Sequence, residues 1–597
     1  MKSRRLLWAL VFSLSCGSSG GKPDSGAGGS TGAGGSGGTT VTGGTTGSGG
    51  KTASGGTTGS GGTSATGGST GTGGSTNTGG TTGTGGTTAS GGATGTGGTT
   101  GNGGATGTGG ATVSGCGKLQ PAQTGSVLTR GNNNQRTAHF IESSLTIANV
   151  SGTKFGADAT FNAAAKFTGG LEGSPLFLAG GTPGTGTYIV AGTTGTVTAI
   201  DETSGTTKWS RNLGGNIKGT PVIDAAMTTL YVAQRTTTGG DHYEVHAMNL
   251  AGGSMGAEVT GWPVNVSTVK SNNNDTVGSF DPGKMVQRGA LSLVNGILYV
   301  PFGGVGGDGP PYKGFVVAIN VATPTTTGAW SVGGDRSGLW QSGGLASDGT
   351  SVFAVTSNGS DGTHLDSEEV IRLTGLAVGS HANKDLFFPS NWKEWDNQDN
   401  DFGSSSASVL QFTGQCQSLV VAPSKPGHVF FLDPADLGGA NGNTPLRDFP
   451  MAKATTNAQY QVLYTAPTAY ITASGVHVAI EARTDAACPN GNGGDSLMGI
   501  KIDMTTTPPT PSAHWCTAVN GGNDRHHAIS TSTDGLNNAI VWFVVGGALK
   551  AFDGDTGAVL FTSTACGTVP SWTAPIAADN HVIVGANGKL CSYSVQP

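Results

Sequence analysis

The chain has 597 residues, of which 109 are glycine and only 11% are charged, with a formal net charge of −6. Glycine does not recur every third residue with proline, which excludes a collagen helix, and no apolar run reaches the ~18 residues of a membrane-spanning helix. Lys and Arg form no cluster beyond the first five residues, which argues against a nucleic-acid or polybasic membrane partner.

Residues 1–16 read MKSRRLLWALVFSLSC. Lys2, Arg4 and Arg5 give a basic start, and residues 6–14 give an apolar run too short to span a bilayer. This is the organisation of an export signal. A cysteine at the end of such a segment resembles the bacterial lipoprotein signal, although Ser13 stands where that signal places Leu. The resemblance implies lipidation at Cys16 and a membrane partner through an N-terminal lipid anchor. Gly17 after the cysteine then implies the outer membrane or cell surface, with plain secretion or a periplasmic location as the alternative.

Residues 17–115 hold 43 of the glycines in units such as TGGTTGTGG, with no aromatic residue. Such a sequence cannot bury enough apolar surface to offset chain entropy, so a disordered tether is expected. As a Gly-rich coil its ends would lie about 55 Å apart. Within it, Gly67 to Gly71 matches a nucleophile-elbow pattern and residues 45–52 approach a phosphate loop. Neither lies between a strand and a helix, so neither carries chemistry.

From about residue 120 the texture changes. Short β-rich runs appear at 187–191, 229–233, 296–301, 351–356, 475–479, 539–545 and 581–585, each bounded by Gly, Asn, Asp or Thr. These predict an all-β domain without long helices. Ala199 to Trp209 fits A-x-D-x-x-x-G-x-x-x-W, and Ala551 to Phe561 repeats it with Phe in place of Trp. Weaker copies lie at 317–330, 370–388, 429–449 and 500–515. Each reads as a hairpin: a strand, an Asp/Gly turn in which Asp201 or Asp553 shapes the backbone, and a returning strand that ends on an aromatic. Small residues precede proline at Pro175, Pro221, Pro467 and Pro575, a pattern suited to the start of a strand. Units beginning near 173, 219, 287, 341, 404, 465, 528 and 571 have the size of four-stranded propeller blades. The last has three apparent strands, and a strand near 160–168 is expected to complete it. The fold expected is therefore an eight-bladed β-propeller over 116–597, with an entry segment at about 120–170.

The two A-x-D-x-x-x-G units resemble the repeat of the pyrroloquinoline-quinone (PQQ) propellers, the quinoprotein-like family. Asn132 to Thr137, residues 145–150, and Phe155-Gly156 are similar to the entry segment of bacterial secreted proteins with this repeat. Gln287-Arg288, the run GILYVPFGG, residues 311–314 and the stretch from Gly338 to Gly344 are similar to their middle. The resemblance implies fold more than activity. It covers PQQ- and calcium-dependent dehydrogenases of alcohols or sugars, in which a Trp supports the cofactor and an Asp acts as base. It also covers a scaffold propeller of the outer-membrane assembly machinery.

Six cysteines follow Cys16, an even number that predicts up to three disulfides in an exported chain. Fifteen pairings are open. Cys488 with Cys516 and Cys566 with Cys591 are preferred because each pair falls in one blade or adjacent blades. No C-x-x-C or H-E-x-x-H motif occurs.

In a propeller the loops leading into the first strand of each blade surround one mouth of the central channel. Placed by that rule, the candidate ligand-binding residues of the funnel are Arg136, Gln287, Arg288, Trp340, Gln341, His526, His527 and Trp572. Trp340 reads equally as packing between blades. His526 and His527 are adjacent, so at most one faces inward on a strand. Asp399 and Asp401, in DNQDNDFG with Asp396, are candidate metal ligands rich in oxygen, but the spacing to Gly403 departs from an EF-hand loop. No cofactor is expected from the residues themselves; the resemblance admits PQQ with Ca²⁺. An adjacent Cys-Cys pair over the cofactor is absent. The function expected is a surface-anchored binding or scaffold propeller with an envelope protein or polysaccharide as partner. The alternative is a PQQ-dependent dehydrogenase.

Overall fold

Runs of β-branched and aromatic residues, cut every few positions by Gly, Asn and Asp, pair into eight sheets, antiparallel but for His139–Ile141, which joins Ile529–Ser532 in parallel. The computed structural model describes residues 115–597 apart from 122–124, 274–279, 306–310, 361, 440–443, 453–464, 483–486, 490–494 and 520–524. The expected signal segment with Cys16, and all but the last residue of the expected tether, lie outside the described residues.

The sheets are the eight blades of a β-propeller. Their first strands are Leu176–Leu178, Val222–Ile223, Ser292–Val294, Ala346–Ser347, Ser408–Phe412, Thr468–Thr472, Ile529–Ser532 and Ile576–Ala578. Each begins a few residues after its predicted unit start, and Pro175, Pro221, Pro467 and Pro575 stand immediately before the strand. The second strands are buried throughout, as at Ile540–Val545, because blades cover both faces. The outermost strand of blade 1, Thr207–Asn212, alternates between half-buried and exposed residues, whereas that of blade 3, Thr327–Ser331, is nearly all buried. The core thus lies between blades, built from facing apolar side chains such as Trp542, Phe155 and Tyr593.

The repeat has a physical basis in both clear copies. Asp201 Oδ1 accepts from the amides of Thr203 and Ser204, and Asp553 Oδ1 accepts from those of Asp555 and Thr556. The aromatic at the end of a unit packs on the corresponding turn of the next blade. Trp515 donates from Nε1 to the Gly554 carbonyl at 2.9 Å. A Cβ at Gly557 would sit 2.5 Å from the Trp515 ring, and Gly557 has φ +70°, so both backbone and neighbour require glycine there. Trp209 against Gly256 and Trp330 against Gly379 repeat the contact.

The chain closes the ring with a strand from its entry segment, but not at 160–168. Phe155–Ala157 supplies it, antiparallel to Lys589–Val595 with Tyr593 opposite Ala157. The strand stops because Asp158 caps a short helix, Ala159–Ala164, accepting from the amides of Thr160 and Phe161. The remainder of the expected strand is reduced to a single bridge, Lys166 to Lys589.

Three disulfides are formed: Cys116–Cys416, Cys488–Cys516 and Cys566–Cys591. The first holds the start of the described domain to blade 5, where Leu119–Gln120 extends the innermost strand.

Candidate functional site: a plugged channel with a cationic mouth

The innermost strand of a blade has one paired edge and one edge facing the channel. Unpaired backbone groups there need partners. Residues 127–142 supply them. Val127 exchanges two backbone bonds with Phe177 of blade 1, and the Leu128 carbonyl accepts from Ile223 of blade 2. Asn134 donates from its side chain to the Leu293 carbonyl of blade 3, and its own carbonyl accepts from Ser347 of blade 4. The carbonyls of Gln135, Thr137 and Ala138 accept from Val409, Ala469 and Ser530 of blades 5, 6 and 7. Glu142 accepts from the Asn580 amide of blade 8. The segment therefore touches every blade in turn and fills the channel.

Its irregular path is written in its sequence. Asn132, Arg136 and Ala138 all have positive φ. The Asn side chains replace the regular bonds that such a path loses: Asn132 donates to the His139 carbonyl, and Asn133 bonds both the Thr137 hydroxyl and the Thr137 amide. Arg136 uses all five guanidinium donors on the chain itself. They go to the carbonyls of Leu345, Arg130 and Leu291 and to the hydroxyls of Thr129 and Ser292. Burial lowers the Arg136 pKa to about 9. Arg136 is thus the fastener of the plug, with no donor left for a ligand.

Three more expected funnel residues turn inward. Gln287 donates to the Gly289 carbonyl, and Gln341 accepts from the Val355 amide. His527 accepts at Nδ1 from the Ala466 amide, 2.9 Å, so Nε2 carries its proton and donates to the Ser342 hydroxyl at 2.7 Å. Burial first, then Arg130, hold the His527 pKa well below the usual range, so this neutral tautomer persists. His526 is also buried, at 2% exposure. A cavity of about 20 Å³ beside Arg130, Arg136 and His527 has room for about one water.

The mouth itself is built by Arg288, Trp340 and Trp572, all half-buried. The Arg288 guanidinium lies 4.4 Å from the Trp572 ring centre and 5.5 Å from that of Trp340. Arg525 lies 5.1 Å from Trp572. Arg130 closes the floor, donating to the Trp572 carbonyl at 2.6 Å. Glu172 and Lys218 form an ion pair at 2.6 Å at the equivalent position of blades 1 and 2. Burial lowers the Arg288 pKa; Glu172 opposes that shift and Arg525 adds to it.

Sequence reasoning missed Glu172, Lys218, Arg525 and Arg130. A signal for the first three exists: Glu172, Lys218, Arg288, Arg525 and Trp572 each stand four residues before the first strand of their blade. Asp399 and Asp401 do not reach this mouth cluster as free ligands. Both bind the buried Lys425 ammonium, at 2.9 and 3.0 Å. Burial raises the Asp401 pKa while Lys425 opposes the shift.

A second concavity was not anticipated. Where the first and last blades meet, a cavity of about 380 Å³ is lined by Glu142, Glu202 and Asp579. Burial, above all, raises the Glu142 and Glu202 pKa values to about 7, with neighbouring carboxylates adding to the effect. These residues are far apart in sequence and meet only because the ring closes.

No family model matches the chain. No curated protein matches it. Solved structures do. The quinohemoprotein alcohol dehydrogenase of Comamonas testosteroni superposes with a TM-score of 0.54 at 15% identity, covering 79% of this chain and 81% of that one. A quinohemoprotein alcohol dehydrogenase of Pseudomonas putida HK5 gives 0.52 at 13% identity, with 79% and 80% covered. A europium-containing methanol dehydrogenase gives 0.53 at 13% identity, with 78% and 91% covered. At such identities the likeness is one of fold alone: the described domain has the eight-bladed β-propeller fold of these structures.

Proposed function

We propose that this propeller is a binding or scaffold module of the cell envelope, displayed on a lipid-anchored tether, and not a dehydrogenase. The observation that carries the proposal is the plug: the chain's own residues 127–142 hold the channel-side edges of all eight blades. What remains for a partner is the mouth. Among the described residues, Lys218, Arg288 and Arg525 there outnumber Glu172, and Arg288 and Arg525 lie against the Trp572 ring. Such a surface suits acidic groups on an envelope protein or polysaccharide, bound by charge.

A PQQ and Ca²⁺ site does not fit these residues. Calcium takes six to eight oxygen ligands. Among the described residues the mouth offers cations, and its carboxylate Glu172 is already paired with Lys218. Asp399 and Asp401 are paired with Lys425. The Trp572 face, where a planar cofactor would stack, has Arg288 against it. No redox step is therefore derived for this chain.

The test is crosslinked binding of the full chain to an envelope fraction and to purified acidic envelope polysaccharide, at low and high salt. Saturable, salt-sensitive binding is expected, reduced at least ten-fold in the Arg288→Ala, Arg525→Ala double variant. Binding at background level to both, or binding indifferent to the double variant, contradicts the proposal.

A further inference from the structure

Far from the mouth, the turn side of blades 6 and 7 brings together two histidines and a carboxylate. His477 lies on Gly475–Ala482, opposite Tyr470, and is fully buried with its ring stacked on the Tyr470 ring at 5.3 Å and 9°. His514 lies on the outermost strand, Thr510–Ala518. Pairing there steps from Trp515 opposite Gly499 to Ala513 opposite Ile500. His514 is the extra residue of that bulge, a device that re-aims a side chain. Its ring centre is 5.1 Å from that of His477. Asp555 comes from the neighbouring blade, in a turn pinned by Trp515 and by the Tyr470 hydroxyl, both donating to the Gly554 carbonyl.

One nitrogen of each histidine and one oxygen of Asp555 lie within 4.8 Å of one another. The hydroxyls of Thr472 and Ser474 both donate to Asp555 Oδ1 at 2.6 Å. With their hydrogens committed, they accept from His477 Nε2, 3.2 and 2.9 Å away. Nε2 therefore carries the proton, and Nδ1 is left as a bare lone pair, buried and without a hydrogen-bond partner. Nε2 faces Asp555 Oδ1 at 3.7 Å, so the His477 ring sits beside a carboxylate and a second imidazole while its own buried Nδ1 stays unmatched, an incomplete arrangement for a protein interior.

We propose that His477, His514 and Asp555 bind a divalent transition ion, Zn²⁺, that clips blade 6 to blade 7. Two nitrogens and one oxygen are the donor set of zinc rather than of calcium or magnesium, and three protein ligands leave the fourth tetrahedral position to water. The Thr472 and Ser474 hydroxyls bridge Asp555 Oδ1 and His477 Nε2 and fix the two side chains relative to one another. Ligand bonds of ~2.0–2.2 Å require these atoms to approach one another by about 1 Å. His514, half-buried on an edge strand, is the side chain able to move. This site is independent of the reading of the mouth.

The experiment is zinc retention. Full chain stripped with a chelator is loaded with ZnCl₂, dialysed, and its metal measured by mass spectrometry. A parallel sample loaded with CoCl₂ is read for the visible bands of a tetrahedral site. One zinc per chain is expected, with a rise in melting temperature. Retention should fall at least ten-fold, and the cobalt bands vanish, in His514→Ala and Asp555→Asn. His514→Ala should melt where the stripped wild type does. His514→Gln serves if alanine disturbs the strand. No zinc retained by the wild type, or one zinc retained by the His514 variants, overturns the proposal.

Discussion

Arg136 is the sharpest test of the plug, because its two readings predict different outcomes. As a funnel ligand it would tolerate Arg136→Ala with stability unchanged. In the structure its five donors hold three carbonyls and two hydroxyls of the plug and of blades 3 and 4. Two of those acceptors keep a strong alternative. The Leu345 carbonyl still receives the Ser292 hydroxyl at 2.9 Å, and the Ser292 hydroxyl keeps its place by that bond. The Arg130 carbonyl loses the Arg136 contact, and the Leu291 carbonyl keeps only a long contact from Thr129 at 3.5 Å. Each buried unsatisfied acceptor costs about 1–3 kcal/mol. The void left by the side chain adds to this, and relief from a buried charge offsets part of it. The net loss is about 4 kcal/mol. With an unfolding entropy near 2 cal/mol/K per residue over about 480 residues, that lowers the melting temperature by about 4 °C. Calorimetry of the wild type and of Arg136→Ala and Arg136→Lys reads it, with lysine recovering only part because it lacks the planar fork. A loss under about 1 kcal/mol for alanine would refute the assignment of Arg136 as fastener.

Two further predictions concern the seams between blades. Glu142 titrates near 7 in the folded chain, raised by burial, against the ordinary 4.5. The folded state therefore holds a proton that the unfolded state has released between about pH 4.5 and 7, and stability falls as pH rises through that window. The full difference amounts to about 3 kcal/mol. Glu142→Gln keeps an acceptor for the Asn580 amide and removes the ionisation, so it should raise the melting temperature at pH 8 and leave it unchanged at pH 4.5. An equal shift at both pH values contradicts the burial argument. Trp515, 5% exposed and bonded to Gly554, locks blade 6 onto blade 7. Trp515→Ala should cost about 3–5 kcal/mol by denaturant titration; a cost under about 1 kcal/mol would mean that the docking contact is incidental.

The blades were legible in the sequence because their determinants are local. Asp201 and Asp553 shape turns two and three residues ahead, and Pro175 or Pro575 marks the strand that follows directly. Cys488–Cys516 and Cys566–Cys591 follow from the same local spacing, whereas Cys116–Cys416 joins residues 300 apart and depends on the path of the entry segment. That path was the hidden part. Asn132 to Thr137 could be recognised as part of an entry segment, but nothing in its composition says that residues 127–142 wind past eight strands. By position in the sequence Arg136, Gln341 and His527 read as funnel residues, although their polar atoms serve the channel wall. Arg525 and Lys218 escaped notice for the opposite reason. They are ordinary surface cations in sequence and become a mouth only when aligned by their offset from each inner strand. The Phe155–Ala157 closing strand was misplaced by a few residues because Asp158 ends it with a helix cap.

On the proposed reading, residues 127–142 hold the channel-side edges of all eight blades and the described mouth offers a quinone cofactor no place. The most direct measurement is a calorimetric titration of the full chain with PQQ in the presence of Ca²⁺, followed by absorbance and by dye reduction with alcohols and aldoses. The account predicts no saturable uptake at micromolar concentration and no dye reduction. Uptake of one PQQ per chain, dependent on Ca²⁺ and followed by substrate-dependent dye reduction, would contradict it.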